Sequence, residues 1–409
     1  MGYQAPEIAD AGPSVPSDLF TVGRTLALLC FDFRSFQSTF KFTLPAPEDA
    51  PIFERHPSLH RFLLKATAPH PDDRFQTAEE MADQLLGVLR EVVAAEEDRP
   101  VPGASTLFTG DFRARPDRPD WRLLPALVVS TDDAAAGFLA TLHAVDQDGL
   151  IAALRAAPER TVEVDLRLAR AHIDASDWDA ALEVIGEIET RDAWEWRATW
   201  LRALVDLARD RAAAAGAGFA TVYSAVPGEL APKLALGVAA ELAGDHAEGA
   251  RWYEVVARTD RSYTTAIFGL ARCRLALGDR PGALAAYGLV LDSSRSYDDA
   301  QMAQIRCLLD HPGADELRFA SSALDALGAE GRIRSELTVG LLDAALGALQ
   351  SGTARPDPAT RLAGAPLTDV GVRLGLEREL RRLAQLASGR DERIELVDRA
   401  NAMRPRTWT

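Results

Sequence analysis

The chain has 409 residues, of which 47% are apolar and 26% charged, a composition typical of a globular protein with two or three domains. Its net charge of -16 disfavours a large nucleic-acid or anionic-membrane footprint, because both need clustered positive charge. No apolar run reaches the ~20 residues of a membrane span, and acidic residues interrupt the start where a signal peptide is apolar. The three cysteines form no C-x-x-C pair, so we expect a cytoplasmic protein without a disulfide framework or metal site.

The first hundred residues predict helices that follow an Ala5-Pro6-Glu7 tripeptide. SDLFTVGRTLALLC predicts a helix capped by Ser17 or Asp18, with apolar residues around most of its circumference. SLHRFLLKAT, at 58–67, predicts a short amphipathic helix. Thr77, with Glu80 three residues later, predicts a capping box at the start of a longer helix.

This order of elements resembles the end of the C-terminal lobe of a eukaryotic-type Ser/Thr protein kinase. Ala5-Pro6-Glu7 matches the A-P-E motif that closes the activation segment, and PDDRF, at 71–75, resembles the turn before the last helix of the lobe. The resemblance implies that Glu7 pairs with Arg74 in the interior and that Asp18 holds the backbone of the catalytic loop. These roles are structural. Surface charges without mutual contact are the alternative.

Phosphoryl transfer in such kinases needs a glycine-rich loop, a strand lysine, an H-R-D aspartate and a D-F-G aspartate that binds magnesium. In a kinase chain all of these precede the A-P-E motif. The closest substitutes fail, because Asp32-Phe33 and Asp111-Phe112 are each followed by arginine. We therefore expect no catalytic, cofactor-binding or metal-binding residue in this chain, although ATP and magnesium serve the intact family. Whether the chain counts as part of an enzyme stays open.

After the lobe-like residues 1–98, a stretch containing proline and glycine at 99–122 predicts a linker over the surface. From residue 123 the helical pattern has a period of 34, the tetratricopeptide length. Small residues stand seven before and five after each anchor, and apolar residues stand nine and twelve after it. The second unit is the least regular, since Arg202 replaces a leucine of the other units. Four units align on the anchor pairs Ser176-Asp177, Asp210-Arg211, Gly244-Asp245 and Gly278-Asp279.

Tetratricopeptide repeats stack into a solenoid whose concave face ordinarily binds peptides or proteins. We assign the repeats to 123–310 and a repeat-like region with capping helices to 311–409, interrupted by a loop at 353–369. The expected fold class is all-α. One hypothesis is that basic side chains on the concave face bind an acidic or extended peptide. The alternative is that they are solvated charges on exposed helix faces. The candidate partner-binding residues are Arg167, Arg202, Lys233 and Arg274.

A kinase lobe end, a short linker and tetratricopeptide repeats together resemble the actinobacterial soluble Ser/Thr protein kinase G family. The segments that carry the resemblance include TVGRTLA, TAEEM, PGELAPKLAL, AELAG and LVDRANAMRP, spread over nearly the whole chain. The resemblance implies a cytoplasmic kinase in metabolic signalling, with a forkhead-associated-domain regulator among its partners. The repeats are then expected to dock partners and to support a homodimer. The rubredoxin-like metal module and the N-lobe of the family have no counterpart in this sequence.

Two interpretations follow. In the first, the chain is the C-terminal portion of a protein kinase G-like enzyme, and its lobe remnant packs loosely because its covering elements are absent. In the second, it is an autonomous non-enzymatic binding protein in which that remnant caps the repeats. An unrelated hydrolase or metalloenzyme is disfavoured, because the seven histidines show no H-E-x-x-H or comparable spacing.

Overall fold

The computed structural model describes residues 2–111, 114–142, 146–328 and 330–405. These form two compact units, Met1–Cys273 and Arg274–Thr409. The expected helical fold class is confirmed, with one short hairpin in addition. No helix among the described residues is long and apolar enough to cross a membrane. The domain boundaries at 98, 122 and 310 stay predictions.

The first unit begins with a segment of helices that we call the lobe segment, residues 2–98. Its helices are α1 (Ile8–Ala11), α2 (Val15–Cys30), α3 (Pro51–Arg55), α4 (Pro57–Ala66) and α5 (Ala78–Glu97). The rest of the unit contains α6 (Ala136–Thr141), α7 (Gln147–Arg155), α8 (Val162–Asp174), α9 (Trp178–Arg191), α10 (Trp196–Ala208), α11 (Ala212–Ala225), α12 (Leu230–Leu242), α13 (His246–Thr259) and α14 (Thr264–Ala276), whose last turn belongs to the second unit.

Phenylalanines form the core of the lobe segment, where Phe53, Phe62 and Phe75 are almost fully buried. Helix α2 begins earlier than predicted. Its N-cap is Ser14, whose hydroxyl accepts from the backbone of Ser17, and the Ser17 side chain returns the interaction. The predicted cap at Ser17 or Asp18 was wrong. The first N–H groups of a helix have no partner within the helix, and proline has no N–H, so the first turn can include a proline and the helix begins before it.

Only part of the apolar circumference of α2 is covered in the structure. Leu19 and Phe20 are buried against the core, whereas Val22 is half exposed and the Leu29 side chain is 80% exposed. At the other end of the lobe segment, α5 begins after Thr77, as the sequence predicted. The hydroxyl of Thr77 accepts from the backbone of Glu80 and caps α5, but the Glu80 carboxylate accepts from the backbone N–H of Gln76, so only half of the predicted capping box forms.

The four predicted anchors share one backbone conformation, which explains the 34-residue period. Ser176, Asp210, Gly244 and Gly278 each follow a first helix and have φ between 56° and 81°. This left-handed conformation ends one helix and turns the chain into the next. An aspartate then caps the second helix in three units, whereas Arg211 provides no side-chain cap in the second unit. The irregularity predicted for that unit is therefore visible at its turn.

Packing follows the predicted register of the repeats. The small residues are buried in all four units, and so are the apolar residues nine and twelve positions after each anchor. The small set comprises Ala169, Ala203, Gly237, Ala271, Ala181, Ala215, Gly249 and Ala283, and the apolar set comprises Ile185, Phe219, Tyr253, Tyr287, Ile188, Val222, Val256 and Val290. A Cβ on Gly237 would come within 2.7 Å of the Tyr253 ring, so the large ring and the missing side chain fit each other.

The stretch at 99–122 was predicted to be a linker over the surface, but two of its aromatic side chains are buried. Phe108 is buried against Trp196 and Trp200, with ring centroids 5.6 and 4.9 Å away. Phe108 also forms an isolated antiparallel bridge with Leu127. Trp121 is buried as well. The aromatic side chains anchor this stretch, because burying each of them removes a large apolar area from water.

The second unit contains α15 (Arg280–Tyr287), α16 (Tyr297–Leu308), α17 (Ala314–Ala326), α18 (Gly331–Ser351), α19 (Asp369–Leu386) and α20 (Arg390–Met403). The predicted loop at 353–369 instead holds an antiparallel hairpin of β1 (Asp357–Leu362) and β2 (Ala365–Leu367). Ala363 and Gly364 both have positive φ, the conformation of a tight two-residue hairpin turn. Buried Leu362 and Leu367 attach the hairpin to the helical core.

Candidate functional site

The lobe segment contains the ion pair expected from the kinase resemblance. Two guanidinium nitrogens of Arg74 donate to the two carboxylate oxygens of Glu7, at 2.6 and 2.8 Å. Arg74 is almost fully buried and donates further to the carbonyls of Ala68 and Pro69. The hydrogen bonds from Arg74 hold the pKa of Glu7 below its usual 4.5. The pair therefore ties the start of the segment to the turn before α5.

Asp18 lies exposed on α2, and its predicted role at a catalytic loop stays a prediction. A second buried arginine, which sequence reasoning missed, organises the same region. Arg24 donates to the backbone carbonyls of Gly2, Phe36, Phe40 and Thr43 at 2.6–3.0 Å. Burial lowers the pKa of its guanidinium. The Arg24 side chain thus binds the backbone of the irregular segment at 36–43, which follows α2 in the chain.

The lobe segment meets the repeats through a direct backbone contact. Gly87, in the middle of α5, lies against Gly228 in the turn between α11 and α12. A Cβ on Gly87 would come within 2.2 Å of the Gly228 carbonyl oxygen, and one on Gly228 within 2.3 Å of the Gln84 carbonyl oxygen. Gln84 also accepts a 2.8 Å hydrogen bond from the backbone N–H of Gly228. Only glycine permits this approach at either position.

A buried ion pair stands one helical turn beyond the glycine contact. The ammonium of Lys233, on α12, donates to Glu91 on α5, and also to the carbonyls of Pro227 and Glu229 at 2.7 and 2.9 Å. The second oxygen of the Glu91 carboxylate accepts from the hydroxyl of Ser58 on α4. Lys233 is fully buried and Glu91 nearly so. All three ammonium hydrogens and both carboxylate oxygens thus have partners, as a buried pair requires.

Tyr223 on α11 completes the contact between the two parts. Its hydroxyl lies 2.7 Å from the Ser58 hydroxyl, and the Lys233 ammonium lies 4.7 Å from its ring centroid. The guanidinium of Arg61 lies 4.4 Å from the same ring. We call the set Ser58, Gly87, Glu91, Tyr223, Gly228 and Lys233 the junction.

Burial dominates the electrostatics of the junction. It raises the pKa of Glu91 and lowers the pKa of Lys233, and each opposite charge counteracts the effect on its partner. Burial also raises the pKa of the Tyr223 hydroxyl well above its usual value. The polar groups of the junction can be buried because they bond to one another, which replaces the hydrogen bonds to water that burial removes. The arrangement is structural and contains no nucleophile that is free to react.

The four predicted partner-binding cations differ in burial and in pairing. Lys233 is the clearest correction, because its side chain is fully buried in the junction and not open to a partner. Arg202 pairs with Glu189, and Arg274 donates to the carbonyl of Gly282. Arg167 is exposed on α8. An acidic-peptide site that includes Lys233 is therefore wrong, and the roles of Arg167, Arg202 and Arg274 stay predictions.

Some junction residues carried a signal in the sequence. Lys233 and Lys65 are two of only three lysines in a chain rich in arginine, and both ammonium groups fill compact sites beside α11 and α12. A point-like ammonium suits a narrow site that a planar guanidinium cannot enter. Gly87 interrupts a helical pattern, which indicates close packing. Ser58, Glu91 and Tyr223 had no distinguishing pattern.

Gly87→Ala is expected to separate α5 from the repeats, because the added methyl group overlaps the Gly228 backbone. We expect a loss of about 1–3 kcal/mol in the free energy of unfolding, with increased amide hydrogen exchange in α5 and around Gly228. Gly186→Ala is the matched control. A Cβ there meets nothing within 4 Å on α9, so that variant should be as stable as the parent or slightly more so. Equal stability of both variants would refute the tight contact.

Lys233→Met is expected to cost about 3–5 kcal/mol of folding free energy, because it leaves the Glu91 carboxylate buried without a counter-charge. Adding Glu91→Leu should recover most of that loss, since the double variant replaces the pair by apolar groups of similar size. Thermal and denaturant unfolding measure both changes. A double variant as unstable as Lys233→Met alone would show that the charge pairing is not the source of the stability.

Glu7→Gln should remove a pH-dependent contribution to the stability of the lobe segment. The pKa of Glu7 is lower in the folded protein, so the stabilisation is present above pH 4.5 and is lost as pH falls through the folded pKa. The difference in unfolding free energy between parent and variant should therefore be largest near neutral pH and shrink in acid. The same difference at all pH values would contradict the assigned pairing.

Comparison with known proteins agrees with this architecture. The model of the protein kinase G tetratricopeptide repeat family matches residues 122–407. The serine/threonine-protein kinase PknG of Mycolicibacterium smegmatis is 35% identical over 445 residues, covering 99% of this chain and 57% of the relative. The PknG of Mycobacterium leprae is 35% identical over 442 residues with the same coverage. The chain thus spans 57% of the length of the curated relatives it matches.

Among solved structures, the Cut9-Hcn1 hetero-tetramer of the APC/C has a TM-score of 0.27 at 10% identity, covering 95% of this chain and 83% of that chain. A TM-score this low establishes no structural relationship. The family match extends over most of the chain and coincides with the repeats that the structure contains. The chain therefore belongs to the protein kinase G tetratricopeptide repeat family.

Proposed function

We propose that this chain is the partner-docking portion of a protein kinase G-like Ser/Thr kinase. In this role the repeats bind a protein partner and hold it at a fixed position relative to the kinase lobe. The junction is the observation that carries the proposal. Its backbone contact at Gly87 and its buried Glu91–Lys233 pair leave little freedom between α5 and the repeats. A partner bound to rigidly held repeats is presented in one orientation, which favours reaction by proximity.

We propose that these residues supply docking and no phosphoryl transfer. The sequence after Glu7 contains no D-F-G or H-R-D motif in the order that the kinase mechanism requires. ATP and magnesium are then cofactors of the kinase domain in the intact family, and this chain binds neither by the mechanism of that family. The Glu7–Arg74 pair stabilises the lobe segment without touching a reacting group.

The family resemblance supports a further specification of the role. We propose that the partner is a regulator with a forkhead-associated domain, that the setting is cytoplasmic metabolic signalling, and that the repeats also support a homodimer. The net charge of -16 supports a protein partner in preference to nucleic acid. Tetratricopeptide arrays ordinarily bind other proteins through an extended surface, which fits this role.

A non-enzymatic scaffold is the second candidate, and one observation favours it. The lobe segment has its own aromatic core and covers Tyr223 and Lys233 on the repeats, as a terminal cap does. A cap of this kind is expected to melt together with the repeats. A separate, protease-sensitive lobe segment would favour the first candidate, in which further kinase elements complete the lobe.

A competition assay tests the docking role. The isolated chain should inhibit phosphorylation of a forkhead-associated-domain protein by the intact M. smegmatis relative, because it occupies the docking surface of that substrate. Phosphorylation of a short peptide that contains only the acceptor sequence should stay unchanged. Radiolabel incorporation measures both reactions, and the chain with ATP and magnesium alone should incorporate none. Absence of inhibition with the chain in large excess would contradict the docking role and favour the scaffold.

A further inference from the structure

A groove of about 510 Å³ lies between the lobe segment and the repeats, beside the junction. One wall consists of α4 and the turn that precedes α5, and the other consists of α10, α11 and the residues just before α10. Nothing in the kinase resemblance or in the repeat pattern assigned this groove a role. The lining residues that matter here are Leu64, Asp72, Asp73, Trp194, Trp196 and Thr199.

The groove exposes apolar surface that the fold itself does not use. The Trp194 side chain is 64% exposed and that of Leu64 is 46% exposed. Trp196 and the alkyl part of Thr199 extend the same lining on the repeat side. Tryptophan is enriched among the side chains that contribute most to binding, because it buries a large rigid area at little entropic cost. An exposed tryptophan at the edge of a groove is therefore suited to a partner side chain.

The cations that line the groove are already engaged within the protein. Arg61 donates to the Ser224 hydroxyl at 2.7 Å, and Lys65 donates to the Glu80 carboxylate and to the Ala225 carbonyl at 2.7 and 2.8 Å. The third cation of the lining, Arg74, forms the buried pair with the start of the lobe segment. Lys65 and Arg74 are thus paired with carboxylates, whereas Arg61 contacts the neutral Ser224 hydroxyl and the Tyr223 ring.

Two of the carboxylates that line the groove, those of Asp72 and Asp73, differ from Glu80 in their pairing. Asp72 is exposed and Asp73 is partly exposed on the turn before α5. Among the described residues, no ion pair involves either carboxylate. These two carboxylates outnumber the one guanidinium, that of Arg61, which has no carboxylate partner among the described residues, so the groove offers a partner net negative charge beside the exposed Trp194. A partner with positive side chains complements both features, since cations are attracted to carboxylates and to indole faces.

We propose that this groove binds a basic, extended peptide segment of a protein partner. Its arginine or lysine side chains face Asp72 and Asp73, and its remaining side chains cover Trp194 and Leu64. The inference rests on the proposed docking function and adds the chemistry of the segment that is docked. Its chemistry is opposite to that of the acidic peptide expected from the sequence, and Lys233, one of the cations on which that expectation depended, is buried.

A direct binding measurement with the full chain tests the proposal. The probe is a fluorescein-labelled peptide in which arginine and leucine alternate, and its counterpart has glutamate in place of arginine. Fluorescence anisotropy should show binding of the arginine peptide and none of the glutamate peptide. Trp194→Ala should weaken binding by about tenfold or more, because it removes both a cation–π contact with the peptide and the apolar area of the indole. Asp72→Asn with Asp73→Asn should weaken it similarly and reduce its salt dependence.

Asp117→Asn with Glu159→Gln is the matched control, because both residues are exposed acids outside the groove and the net charge changes equally. This control should bind the arginine peptide like the parent chain. The proposal is overturned if the control weakens binding as much as the groove variants, if Trp194→Ala binds unchanged, or if the parent binds neither peptide. In each of those cases, inhibition in the competition assay would still support docking on a different surface.

Discussion

The buried contact between Glu91 and Lys233 is the interaction on which the arrangement of the first unit depends. Each charge alone would carry a large desolvation cost, and together they satisfy one another only when α5 lies against α12. The geometry is correspondingly narrow, because the glycine contact one turn away allows no side chain between the two backbones. Charge pairing and close backbone packing therefore specify the same placement of the lobe segment.

This placement has consequences for the surfaces on both sides of α11. On one side, Tyr223 contacts the Ser58 hydroxyl and the charged groups of Arg61 and Lys233. On the other side, the same helix helps to form the groove with Trp194 and the acidic turn. Two parts of the chain with different sequence patterns line the groove, and the junction holds them together. The proposed docking surface is thus formed by both parts together and not by either part alone.

Opposite charges play different roles in the two regions. In the junction and at Arg74, basic groups are buried and fully hydrogen-bonded, and they stabilise the fold. In the groove, the available charges are the carboxylates of Asp72 and Asp73. A chain with a net charge of -16 commits part of its limited positive charge to internal structure, which leaves its exposed surfaces acidic. The proposed binding of a basic segment depends on this distribution of charge.

The sequence alone determined the features that depend on local pattern. The 34-residue period predicted the four anchor turns, because each needs a left-handed backbone and small residues at fixed distances around it. The motif around Arg74 predicted its contact with Glu7, since both residue types recur in that order in kinase lobes. The hairpin at 357–367 escaped prediction, because its alternation is short and contains two prolines. Only the tertiary structure decided the fate of Lys233, the partners of Arg24 and the groove beside Trp194. Those features join residues far apart in the chain, and burial and charge pairing act only after the chain has brought such residues together.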